Sequence, residues 1–190
     1  MKAKNKLWMI CLVSIAISSC GGGGGKDKIT LTKATDQFAT GNYTTALRNF
    51  ENLIASEGAP AVAGAGWCLV RLSNVARADS FFVTVAADSN TDAYAGWSFS
   101  SWALNDPSEA ISRADFVIRK DANFQMSLDT RVTKSHLVWI QASSYLQLGD
   151  YTSCFNKIKL LDAAYTYPSG TSVEIATALM QKLQSLGSAS

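Results

Sequence analysis

The chain is poor in the residues that carry most enzyme chemistry. Its 190 residues include one histidine, His136, and no carboxylate stands at helical spacing from it. A general-base pair is therefore not formed locally, and His136 reads as a solvated surface residue. No His/Cys cluster has zinc-ligand spacing, and no G-x-S-x-G elbow is present. The glycines before Lys26 faintly suggest a phosphate loop. Cys20 stands where its first glycine belongs, Asp27 follows the lysine, and no strand precedes it. Asp88, Asp92, Glu109 and Asp115 are scattered along helical faces and read as solvating charges. No catalytic residue, metal or cofactor is expected. Strand signals are scarce as well: Phe81 to Val85 is β-rich in composition, but its place after Ala78 favours a helix. The longest apolar run, Leu7 to Ile17, falls short of the roughly 20 residues needed to span a bilayer.

What is present begins at the N-terminus. Lys2, Lys4 and Lys6 precede the apolar run, which ends at Ile17-Ser18-Ser19-Cys20 and is followed by five glycines. That order reads as a secretory signal, residues 1–19, ending at a cysteine. The stretch resembles the lipobox of bacterial lipoproteins. The resemblance implies acylation of Cys20, cleavage before it and a flexible tether over residues 20–26. Because Gly21 is not the aspartate that retains enteric lipoproteins at the inner membrane, it also implies the outer membrane as the address. Loss of the three signal lysines takes the formal charge from +2 to −1. A near-neutral mature domain lacks the basic footprint of a nucleic-acid binder. Cys11 leaves with the signal and Cys20 is acylated, so Cys68 and Cys154 are the remaining thiols.

Residues 27–190 read as one helical domain built on repeats. Ala34-x3-Phe38-x2-Gly41-x-Tyr43-x2-Ala46-x3-Phe50 is the clearest copy, and Ala142-x2-Tyr145-x3-Gly149-Asp150-Tyr151-x2-Cys154-x3-Ile158 repeats its layout. Two weaker copies lie between. One uses Gly66, Ser73-Asn74, Ala78 and Phe82; the other uses Asn105-Asp106-Pro107, Ala110 and Ala114. These copies resemble tetratricopeptide repeats. Ala46, Ala78 and Ala110 are 32 residues apart, near the ~34 of that class. The next step, to Cys154, is 44. An insertion therefore falls between the third and fourth units, within Lys120 to Arg131. Asp106-Pro107-Ser108-Glu109 is a helix start. Val173 to Leu186 carries a helical apolar stripe and should cap the stack. An ordinary helical bundle is the competing reading.

The resemblance implies an all-α, right-handed α-solenoid of about four helix pairs plus a capping helix. First helices of such pairs line a concave face. Groove positions carried over are Leu31, Thr35 and Phe38; Trp67, Val70 and Arg71; Phe99 and Trp102; and Trp139, Ser143 and Gln147. Phe38, Trp67, Arg71, Phe99, Trp102 and Trp139 are the candidate protein-binding residues. They suit an apolar or aromatic peptide segment, with Arg71 the one fork for a carboxylate. The competing reading makes the tryptophans packing residues. Two repeats of helix packing should hold Cys68 and Cys154 apart as free thiols. The leading function is a lipid-anchored adaptor that holds an envelope protein or peptide segment, with outer-membrane assembly suggested by analogy. A small-molecule-binding lipoprotein is the alternative, and an enzyme comes third.

Overall fold

The computed structural model describes residues 29–188. The expected signal (1–19), the lipid-bearing Cys20 and the tether (20–26) lie outside the described residues. Among the described residues nine α-helices follow in order. They are α1 (Leu31–Ala39), α2 (Tyr43–Glu57), α3 (Ala59–Arg71), α4 (Val75–Thr84), α5 (Thr91–Ala103), α6 (Pro107–Lys120), α7 (Lys134–Gln147), α8 (Tyr151–Leu161) and α9 (Ser172–Ser188). The helices pair as α1/α2, α3/α4, α5/α6 and α7/α8, and α9 closes against α7 and α8. First helices also pack on one another, α3 on α5 and α5 on α7, while second helices pack chiefly on their sequence neighbours. The result is an α-solenoid with an inner row of first helices.

Local chemistry sets the helix ends. Thr30, Asn90, Asp106 and Asp150 each accept, through a side-chain oxygen, the N–H three residues on. Each satisfies one of the donors a helix start leaves unpaired. Between paired helices the chain makes the same left-handed turn four times, at Gly41 (φ 80°), Ser73 (60°), Asn105 (64°) and Gly149 (75°). After each turn residue, the next N–H donates five residues back: Asn42 to Gln37, Asn74 to Leu69, Asp106 to Ser101 and Asp150 to Tyr145, at 2.8–3.0 Å. This is the Schellman closure. The two middle turns, which lack glycine, thus close like the outer two.

The repeat's small residues sit where helices cross. Ala46, Ala78, Ala110 and Cys154 are all fully buried. Phe50 presses on Gly64, where an added methyl would lie 2.5 Å from the ring. Phe82 lies between Gly66 of α3 and Gly96 of α5, and a methyl on either glycine would overlap its ring. One core runs from α1 into the start of α7, and a second joins α7, α8 and α9. Cys68 and Cys154 are buried free thiols, and burial pushes both up to about 12. Residues 121–133 form the irregular connection where the lengthened repeat step places an insertion.

A left-handed conformation costs a non-glycine residue about 1–2 kcal/mol, whereas glycine adds about 0.5–1 kcal/mol of unfolded-state entropy. Ser73→Gly should therefore stabilise the domain by up to about 1 kcal/mol, read as a higher urea midpoint at unchanged slope. A lower midpoint would contradict the turn assignment.

Candidate functional site

The inner face is not an open aromatic groove. Phe38, expected there, is 2 % exposed and packs edge-on against Tyr43 at 5.2 Å. Trp67 is also 2 % exposed. Its indole N–H donates to the Asp92 carbonyl at 2.8 Å, and its ring meets Phe82 and Phe99 edge-on at 6.3 and 5.4 Å. Both are corrected from surface positions to core: the left-handed turns and glycine contacts bring the helices close enough to enclose them. Phe99, Trp102 and Trp139 are half-buried. Trp102 donates to Ser143 Oγ at 2.9 Å and packs edge-on against Trp139 at 5.3 Å. The Trp139 indole donates to the Leu183 carbonyl at 2.9 Å, which ties α7 to α9. A buried Trp whose N–H is already bonded is held for packing first.

The insertion returns across this face. Its base is core: Phe124, Met126 and Val132 are buried, the Met126 N–H donates to the Val132 carbonyl, and the Lys134 N–H donates to the Phe124 carbonyl, both at 2.9 Å. Gln125 and Thr133 form an antiparallel bridge. The tip, residues 127–131, reaches back to the first helices of earlier repeats. Ser127 donates its N–H (3.1 Å) and its hydroxyl to the Asp92 carboxylate on α5. Arg71 at the end of α3 donates to Asp129 at 2.7 Å across 58 positions of sequence. Arg131 brackets the same carboxylate at 2.8 and 2.9 Å. Two clefts flank the tip. One of about 340 Å³ is lined by Phe38, Ala39 and residues 127–131. The other, about 320 Å³, is lined by Leu31, Thr35, Pro60, Ala63, Asn90, Asp92, Ser127 and Leu128.

Arg71 is the one expected groove residue that meets a carboxylate, and that carboxylate is the chain's own. Sequence reasoning missed its partner Asp129 and the separate Ser127–Asp92 contact, since no periodicity links an insertion to helices 58 and 35 residues earlier. Asp92 is not a mere solvating charge: burial raises its pKa, and its hydrogen bonds from Ser127 oppose the shift. Asp129 is held below the usual carboxylate range, first by Arg131 and also by Arg71, against burial. Glu109 pairs with Arg113 at 2.5 Å, and Asp115 accepts from Gln141 at 2.5 Å. Among the described residues no three His, Cys, Asp or Glu are grouped to hold a metal ion, and no helix is long and apolar enough to cross a membrane.

Solved structures share the helical fold. A tetratricopeptide repeat protein from Parabacteroides merdae superposes with a TM-score of 0.55 at 12% identity, covering 83% of this chain and 59% of that one. A thermophilic TPR protein of Thermus thermophilus superposes with a TM-score of 0.57 at 20% identity, covering 83% of this chain and 81% of that one. The fold is the tetratricopeptide-repeat fold. The chain thus spans little more than half of the Parabacteroides protein. No family model and no curated protein matches the sequence.

His136 is corrected from a solvated residue to a half-buried cap. It is the third residue of α7, and its Nδ1 accepts the Thr133 N–H at 3.2 Å, completing a reciprocal capping box with Thr133. Burial, then the nearby Arg71 charge, lowers its pKa below 6.5. A depressed histidine pKa means that the unfolded chain binds more protons in that window. The cap's contribution is therefore complete above about pH 6.5 and is lost as pH falls toward the folded value. On acidification from pH 7.5 to 5.5, the urea midpoint of the wild type should fall further than that of His136→Gln, which keeps a side-chain acceptor at the same position. Equal falls would contradict the assignment.

Proposed function

We propose that the chain is a lipid-anchored repeat adaptor that holds another cell-envelope protein, or a segment of one, beside the membrane. The observation that carries this reading is the inner row of first helices, which already seats an irregular loop, residues 127–131. Repeat solenoids offer such faces for protein contact. Arg71, Phe99, Trp102 and Trp139 retain exposed surface there and form the proposed contact set, with Phe38 and Trp67 supporting it from beneath. The lipobox-like Ile17-Ser18-Ser19-Cys20 supports the anchor, and Gly21 after the cysteine favours the outer membrane. Anchoring raises the local concentration of a weak partner site, which suits an assembly role. The small-molecule alternative is the weaker reading, because the Trp67, Trp102 and Trp139 N–H groups are spent on internal acceptors.

In a bacterial host the full chain should label with palmitate and sediment with the membrane. Cys20→Ser should abolish the label and shift the chain to the soluble fraction. Cross-linking of the tagged full chain in envelopes should then recover a discrete protein partner at Phe99 or Trp102. An unlabelled wild-type chain would overturn the anchor. A bound metabolite with no cross-linked protein would overturn the adaptor.

A further inference from the structure

We propose that residues 127–131 are a detachable occupant of the inner face, held where a partner's segment docks, and that the partner segment carries a hydroxyl residue, an apolar residue and a carboxylate in that order. The proposal deepens the adaptor reading and rests on the inner face being the docking face.

The insertion divides into two physically different parts. Its base contributes buried side chains, Phe124 and Met126, with 2 % and 0 % exposure, so expelling it would open the core. Its tip contributes little: Ser127, Thr130 and Arg131 are exposed, Leu128 is half-buried against the edge of the core, and the one enclosed side chain is the Asp129 carboxylate, 8% exposed between two arginines. The tip is held by the Ser127–Asp92 bonds and the Arg71–Asp129 pair. The Arg71 side chain retains 30% exposure and regains water when the tip lifts, while Asp129 keeps its two bonds from Arg131, a residue of the tip itself. Lifting the tip therefore leaves the repeat core in place.

The face beneath is built for a chain segment and is incompletely filled. Clefts of about 340 and 320 Å³ lie beside the tip, and Ser127 and Leu128 border both. Arg71 grips Asp129 through one terminal nitrogen. Its Nε is shielded from solvent and has no partner, so half of a two-donor fork is unused. A carboxylate presented from another chain can take both donors, the stronger geometry. Asp92 sits on the next first helix and accepts an N–H and a hydroxyl from one residue. The two anchors have opposite charge, so they fix the direction of any segment that binds. Ser127-Leu128-Asp129 satisfies that polarity in cis, and a partner must present the same order to displace it.

The test uses the full chain, a variant in which residues 127–131 are replaced by two glycines, and a fluorescent peptide of this chain's residues 125–131. The peptide should bind the excised variant about tenfold or more tighter than the intact chain, because in the latter the tethered tip competes at high local concentration. Adding Arg71→Gln to the variant, or Asp129→Asn to the peptide, should weaken binding about tenfold, the size expected of a charged contact. No binding to a folded excised variant, or equal binding to both chains, overturns the proposal. Hydrogen exchange on the intact chain covers the case in which the variant fails to fold. The Ser127 N–H should exchange by local opening, about tenfold or more faster than the Met126 N–H, and exchange of the two in step overturns the proposal. Overturning by either route while the wild-type chain still cross-links an envelope protein leaves the adaptor reading standing.

Discussion

The stack depends on a phenylalanine ring seated where a side chain has been removed. Phe82 leaves α4 and enters a space that exists because Gly66 on one side and Gly96 on the other carry no Cβ. Phe50 uses Gly64 in the same way one repeat earlier. The two pairs are separated by 14 positions each, and the corresponding pair after the third repeat, once the insertion is allowed for, is Ala114 and Ile140. There neither member is a glycine or an aromatic, and both are buried. Close-packed interiors leave no room for an added methyl at such a seat without a shift of its neighbours. The ring-on-glycine seating thus belongs to the first two interfaces between repeats.

Close approach of the helices has a second effect. It draws the aromatic residues of the first helices into the layer between repeats, where Trp67 meets Phe82 and Phe99 and donates its N–H to Asp92. The Asp92 residue that receives this bond also receives Ser127 from the insertion. Packing of the second repeat and placement of the tip are therefore joined at one residue of α5. At the far end of the face, the bond from Trp139 to Leu183 holds the capping helix. The inner face is shaped by internal commitments at both ends, with Phe99 and Trp102 between them.

Much of the fold was legible because it is local or periodic. The 32-residue steps, the Asp106 cap, the helical character of Phe81 to Thr84, with Val85 as the C-cap, and the site of the insertion all follow from spacing and short-range chemistry. The left-handed conformation of Ser73 was not legible from composition, since serine carries no signal for it, yet the fixed offset from Gly41 marks it. The closure of the groove is not legible for a different reason. Family register places Phe38 and Trp67 on the inner row but is silent on the return of residues 127–131 to Asp92 and Arg71. That return pairs residues 35 and 58 positions apart, and no periodic pattern encodes such pairing. The capping role of His136 was not legible because its partner is a backbone N–H, which every residue but proline carries.

Substitution of Gly96 by alanine in a double-mutant cycle with Phe82→Leu tests this account most directly. Glycine to alanine inside a helix ordinarily stabilises by about 1 kcal/mol, so the sign alone separates propensity from packing. The account predicts that Gly96→Ala destabilises by about 1–3 kcal/mol through overpacking. The smaller leucine at position 82 should relieve much of that cost, leaving a coupling of about 0.5 kcal/mol or more. A stabilising Gly96→Ala, or effects that simply add, would contradict a stack organised around the seated ring.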